Sequence, residues 1–314
     1  MRQLIFATLL IASTAHAQKK EFEYFLAGSQ SDAHVTTKPA FLLAGGGKSD
    51  DASFRWFLER AGHGDILILC ASGSDAYHSY LRSLAAVDSV ETIVFHSRED
   101  SSDPFVLDRI RKADGIFFAG GDQWNYVRFW KETPVMTELN AAVARGIPIG
   151  GTSAGLAVLG EWSFAAEHDT VTSAVALADP FHEKVSLERA FLKLPDLRCS
   201  ITDSHFAKRD RMGRLLVFLA RMRSDACEMP RGIAVDEGVA LMLEANGSAR
   251  VSGTGAVYFI QLDGHPKMER GKAMTAGPYH VIKVSDDNTS SSYDLNVEAG
   301  NVKSTVATIY GAGK

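Results

Sequence analysis

From residue 40 onward, apolar runs alternate with segments of helical periodicity. Ala40 to Ala44 reads as a strand that ends in Gly45-Gly46-Gly47. Phe54, Phe57, Leu58 and Ala61 then recur at helical spacing, and Gly62 stops the helix. Asp65 to Ala71 and Thr92 to His96 read as strands, Phe105 to Ala113 as a helix, and Gly115 to Ala119 as a fourth strand. Thr133-Pro134 is an N-cap followed by proline at the first helical position. Val135, Leu139, Ala142 and Val143 share one face up to Gly146, and Ile147 to Gly150 is the fifth strand. Near-continuous apolar strands separated by helices predict a parallel sheet covered on both faces. Glycine-rich turns follow three strand ends, at 45–47, 120–121 and 150–155. Ligands of open α/β sheets bind outside the carboxyl ends of the strands, so these turns are expected to converge on one crevice.

A short run, Cys199 to Thr202, precedes a helix that buries Met212, Leu215, Leu216 and Leu219. Beyond residue 230 the pattern becomes β-rich, with strands at Gly232–Ala234, Val239–Leu243, Ala256–Gln261 and His280–Val284. At the other end, Arg2, the apolar Leu4 to Ala12 and the small-x-small Ala15-His16-Ala17 form an export leader over residues 1–17. That run is too short to span a membrane, so the mature chain is expected to be secreted or periplasmic, without membrane insertion. Residues 18–38 are polar and irregular and read as a tether.

Composition narrows the classes. The net charge of −5 is mild and no basic tract dominates, which argues against nucleic acid as a partner. Cys70, Cys199 and Cys227 include no C-x-x-C pair, so neither a disulfide-rich scaffold nor a zinc site is expected. One disulfide is open to an exported chain, and any two of the three could form it. A homodimer is equally open.

Gly151-Thr152-Ser153-Ala154-Gly155, between an apolar strand and the helix-compatible Leu156 to Leu159, has the form of a nucleophile elbow. Ser153 is then held out at a strand end beside the free N–H groups of a helix start. A serine hydroxyl needs an adjacent base, and His205 stands at a second strand-to-helix junction. The order Ser, acid, His of α/β-hydrolases directs attention to the acids between them, Glu161, Glu167, Asp169 and Asp179. Glu167 is taken as the orienting acid, with Asp169 as its alternative. The Ala154 N–H and one from Gly121 would form an oxyanion hole. Arg209, Arg211 and Arg214 follow His205 closely, and guanidinium groups there suit a substrate carboxylate. Gly45-Gly46-Gly47-Lys48-Ser49 imitates a P-loop ending, but Leu42 stands where its first glycine belongs. A Cys199–His205 thiol enzyme and a non-catalytic binding protein are the rival readings.

Ala119-Gly120-Gly121-Asp122-Gln123, Gly150-Gly151-Thr152-Ser153-Ala154-Gly155 and Asp203-Ser204-His205-Phe206, followed by Arg209, Arg211 and Gly213-Arg214, resemble the cyanophycinase and aspartyl dipeptidase family of serine peptidases. Gly232 to Glu237 and Val251 to Gly255 look like its later signatures. The resemblance implies a three-layer α/β/α sandwich with a mostly parallel, flavodoxin-like sheet over residues 39–262; residues 263–314 lie beyond it and are read from their pattern as a β-rich extension. It implies Ser153 as nucleophile, His205 as base and no metal or organic cofactor. It also implies a β-aspartyl-arginine pocket lined by Gln123, Asp203, Arg209, Arg211 and Arg214. Ser204 departs from the family, which carries a substrate-binding glutamine there.

Overall fold

The computed structural model describes residues 22–189, 191–225, 227–286, 289–304 and 308–310. The expected leader over 1–17 lies outside them. Strands and helices alternate as β1 (Glu23–Gly28), β2 (Ala40–Ala44), α1 (Asp51–Arg60), β3 (Asp65–Cys70), α2 (Ala76–Leu84), β4 (Ser89–Val94), α3 (Pro104–Lys112), β5 (Gly115–Phe118), α4 (Gln123–Trp130), α5 (Pro134–Ala144) and β6 (Ile149–Thr152). The chain continues through α6 (Ala154–Ala157), β7 (Trp162–Phe164), α7 (Ser173–Ala178), β8 (Leu187–Arg189), β9 (Ser200–Asp203) and α8 (Met212–Ser224). It ends in β10 (Arg231–Val235), β11 (Val239–Glu244), β12 (Ala249–Gly253), β13 (Ala256–Leu262), β14 (Ala276–Ser285), β15 (Ser290–Glu298), β16 (Asn301–Ser304) and β17 (Thr308–Tyr310).

Local signals start the helices where the sequence placed them. Asp50 caps α1 by accepting from Ser53 N–H at 2.8 Å, and Asp103 caps α3 ahead of Pro104. Thr133 occupies the N-cap of α5, but its hydroxyl donates back to the Trp130 carbonyl at 2.6 Å instead of capping. Alternation along the strands divides the core. Leu42, Ile66, Ile68 and Phe117 pack with α1 and α2, while Phe41, Leu43, Leu67, Leu69 and Phe118 pack with α3, α4 and α5. A further core lies between α8 and the strands that end the chain.

The architecture is mixed α/β, with two large sheets and, among the described residues, eight helices. The first sheet runs β1-β4-β3-β5-β6-β2-β11-β12 and the second β16-β15-β14-β13-β10-β9-β7-β8. This corrects the single, mostly parallel, flavodoxin-like sheet. In the first sheet β4-β3-β5-β6-β2 is parallel, and both flanks add antiparallel strands. Its first strand, β2, also lies beside its last, β6, whereas the flavodoxin order places the first strand beside the second.

The segment read as a tether contains β1, which covers the edge of β4. Burial of polar residues explains why β4 begins three residues before the apolar run that suggested it. Glu91 is buried but receives Arg109 at 2.5 and 2.7 Å and the Tyr24 hydroxyl at 2.9 Å. A buried charge so paired is compatible with a strand interior.

Cys199 and Cys227 form a disulfide that ties the entrance of β9 to the end of α8, and Cys70 is free and buried. The bridge removes Cys199 as a thiol nucleophile. It closes a loop of 28 residues, for which chain entropy gives about 3.5 kcal/mol of stabilisation. The double variant Cys199→Ser/Cys227→Ser should lose that amount in urea unfolding, with a raised m-value because the freed denatured chain exposes more surface. A loss under about 1 kcal/mol would contradict the entropic account.

Candidate active site

The elbow forms as steric necessity requires. Ser153 sits between β6 and α6 at φ 53° and ψ −115°, a strained conformation for a residue with a Cβ. Positions 151 and 155, on either side of it, admit only glycine. A Cβ on Gly155 would lie 2.1 Å from the Phe118 carbonyl oxygen, and one on Gly151 would lie 2.5 Å from that of Gly155. The turn aims the Ser153 hydroxyl out of the strand end. Ala154, first in α6, has no acceptor for its N–H within the helix. Gly121 lines the same cavity, and Tyr126 holds its turn by donating to the carbonyls of Ala119 at 2.8 Å and Gly120 at 3.1 Å.

His205 reaches this edge from the other sheet. β9 runs parallel to β10 in the second sheet, not beside β6. Thr202 donates to the Leu156 carbonyl at 2.7 Å and locks the end of β9 onto α6. Ser153 Oγ and His205 Nε2 are 2.7 Å apart.

The carboxylate behind the imidazole is Glu237, at 2.7 Å from His205 Nδ1 through Oε1. This corrects the expectation of Glu167 or Asp169. Glu167 stands near His168, at 4.0 Å, and its backbone N–H donates to Ser186. Asp169 pairs with Lys184 at 3.1 Å. Glu237 escaped because the search was confined to acids between serine and histidine. It lies in the turn between β10 and β11, and β10 is parallel to β9, so both strands deliver residues to one edge. An acid just past a strand end was the available signal.

The remaining expected residues divide by burial. Asp203 is buried and accepts from Arg214 at 2.6 and 2.9 Å, from Arg211 at 3.2 Å and from Ser204 N–H at 2.9 Å. Arg214 is buried too, donates to Thr170 and Val171, and lies 4.8 Å over the Phe164 ring. Both charges are thus committed inside the protein. Arg211 donates to the Ser204 carbonyl at 2.7 Å, and burial pulls its pKa down to about 10, which leaves it cationic at neutral pH. Gln123 bonds the Phe164 carbonyl at 3.3 Å. Arg209 is exposed, at the mouth shared by the Ser153 cavity and a neighbouring cleft of about 500 Å³.

Electrostatics poise the imidazole. Burial lowers the His205 pKa below its ordinary 6.5; the Glu237 hydrogen bond opposes this and the charges of Arg209 and Arg211 reinforce it. Glu237 is itself held below its usual range, chiefly by its hydrogen bond to His205. The result is a neutral base at neutral pH, with Nδ1–H directed at a carboxylate and Nε2 free to take a proton from Ser153.

Residues 41–250 match peptidase family S51. The chain belongs to that family. It is 33% identical over 232 residues to a cyanophycinase of Synechococcus elongatus, covering 70% of this chain and 67% of that protein. It is 29% identical over 235 residues to one of Trichormus variabilis, covering 71% of this chain and 74% of the other. Among solved structures, a peptidase from an acI-B1 actinobacterium shares the fold, with a TM-score of 0.52 and 16% identity over 70% of this chain and 90% of that one. The S51 protein is therefore a serine-type peptidase.

Three outcomes follow from this geometry. Glu237→Gln should lower kcat on the order of 10³-fold, while Glu167→Gln leaves it within about threefold; the reverse would reinstate Glu167. The acid limb of kcat/KM should fall below pH 6.5 and move upward in Arg209→Gln, because that cation depresses the His205 pKa. A limb that stays or moves down would refute the coupling. Arg214→Met should destabilise the fold by about 3 kcal/mol in urea titrations, since it removes the bidentate partner of the buried Asp203 and leaves that charge to Arg211 and the Ser204 N–H.

Proposed function

We propose that this peptidase is exported and hydrolyses bonds at aspartyl residues, of the β-aspartyl-arginine type, through an acyl-enzyme. The observation that carries the substrate is the bipolar cleft beside Ser153. Arg209 and Arg211 line it together with Asp122, Glu167 and Asp169. Arg209 suits the free carboxylate of an aspartyl unit, and the acidic rim suits a cationic leaving residue. Relatives named cyanophycinase support this choice.

The chemistry proceeds in two halves. Ser153 Oγ attacks the carbonyl carbon as His205 Nε2 takes its proton. Glu237 orients the ring and stabilises the imidazolium. The developing oxyanion is received by the Ala154 and Gly121 N–H groups, where losing one donor typically costs 10²–10³-fold. The imidazolium then returns its proton to the departing amine, and a water activated by the same ring releases the aspartyl product. Export rests on the leader-like residues 1–17 together with the Cys199–Cys227 disulfide, which suits an oxidising compartment.

A panel of β-linked and α-linked Asp-Xaa peptides, cyanophycin included, tests the specificity. β-Asp-Arg should exceed α-Asp-Xaa at least tenfold in kcat/KM, and Ser153→Ala should abolish turnover. Equal rates would sink the β-aspartyl assignment and favour an aspartyl dipeptidase. A folded protein whose Ser153 resists a phosphonylating reagent would sink catalysis itself.

A further inference from the structure

The glycine-rich turn after β2, which fails as a phosphate loop, lies against the catalytic edge. Three successive carbonyls of this turn hold three separate stretches of chain. The Ser153 N–H donates to the Ala44 carbonyl at 3.3 Å, the His205 N–H to that of Gly45 at 2.8 Å, and the Gly238 N–H to that of Gly46 at 2.8 Å. Gly238 directly follows Glu237, so each member of the Ser153–His205–Glu237 set is fixed at or next to its own backbone. The Gly45 N–H closes the frame by donating to the Val239 carbonyl at 2.9 Å.

Gly46 has φ 93°, and the place its Cβ would occupy is filled by the imidazole. That atom would lie 2.4 Å from His205 Cε1 and 2.5 Å from Nε2. Gly47, at φ 74°, would bring a Cβ within 3.2 Å of the Glu237 Cβ. A turn that needs glycine only for its backbone looks different: Gly247, at φ 82° in a remote hairpin, has nothing within 4 Å of its missing Cβ.

We infer that the Ala44–Gly47 turn is the alignment frame of the triad, and that Gly46 is a positioning residue whose missing side chain makes room for the His205 ring in register with Ser153. This rests on the serine-peptidase reading of the site. The frame explains how residues from two sheets meet within hydrogen-bond distance. β2 is central in the first sheet, and its carbonyls continue past the strand end to receive chain arriving from the second. A methyl at Gly46 would drive the imidazole off its line to Ser153, and misplacement of about 1 Å is enough to cost on the order of 100-fold.

The test compares Gly46→Ala with Gly247→Ala, which carries the left-handed backbone strain without the ring contact. Gly46→Ala should lower kcat about 100-fold while KM changes less than about threefold, and it should slow phosphonylation of Ser153 to a similar extent. Its acid limb should move up toward 6.5 as the ring leaves its buried seat. Gly247→Ala should leave all three readings unchanged. If wild-type Ser153 is labelled and folded Gly46→Ala is labelled equally fast, the inference fails while the peptidase reading stands. If wild-type Ser153 is not labelled, the peptidase reading itself has failed. Should Gly46→Ala be too unstable to assay, melting is measured in the His205→Ala background. There the inference expects the cost of Gly46→Ala to fall to that of Gly247→Ala. An undiminished cost with the ring removed overturns it.

Discussion

Two hydrogen bonds of 2.7 Å meet on one imidazole, and the organisation of the molecule serves to make them coexist. Ser153 comes from the first sheet, while His205 and Glu237 come from turns that follow strands of the second. A displacement of either sheet by a fraction of a side chain would break one bond or the other. The fold resists this by joining the sheets at the site itself, through Thr202 on Leu156 and through the backbone of residues 44–47. The strained φ of Ser153 persists because the turn is packed closely against neighbouring backbone, room for which exists only with glycine at 151 and 155.

Charge is arranged around that pair in two tiers. Asp203 and Arg214 are sealed in and satisfy each other, so they stiffen the segment from β9 to α8 without facing solvent. A half-broken pair of this kind leaves a buried charge, which makes the segment intolerant of change. Arg209 stays at the surface, where its charge reaches the His205 ring. The same cation thereby helps to keep the base neutral. The disulfide closes the same segment covalently at its far end.

Much of the first sheet was legible because its signals are local. Buried-on-both-faces strands such as Ile66–Leu69 show as unbroken apolar runs, and the Thr133-Pro134 step shows where a helix begins. β1 was not legible, because Glu23 to Gly28 is only half-buried and owes its strand state to pairing with β4. The division into two sheets was hidden for a related reason. β9 and β6 are both four-residue strands that lead toward a helix, and nothing within either states which neighbour it will pair with.

The same boundary runs through the site. The sequence alone determined the elbow, since Gly-Thr-Ser-Ala-Gly between an apolar strand and a helix carries its own pattern, and the chemistry of Ser153 and His205 follows from residue type and from position at strand ends; that 155 must be glycine was decided by the Phe118 carbonyl packed against it. Only the tertiary structure decided which acid serves His205, which cysteines pair, and that Arg214 answers Asp203 while Arg209 faces solvent. Those are choices among chemically equivalent side chains, and equivalence is broken only by distance and burial. Both are set when the two sheets come together.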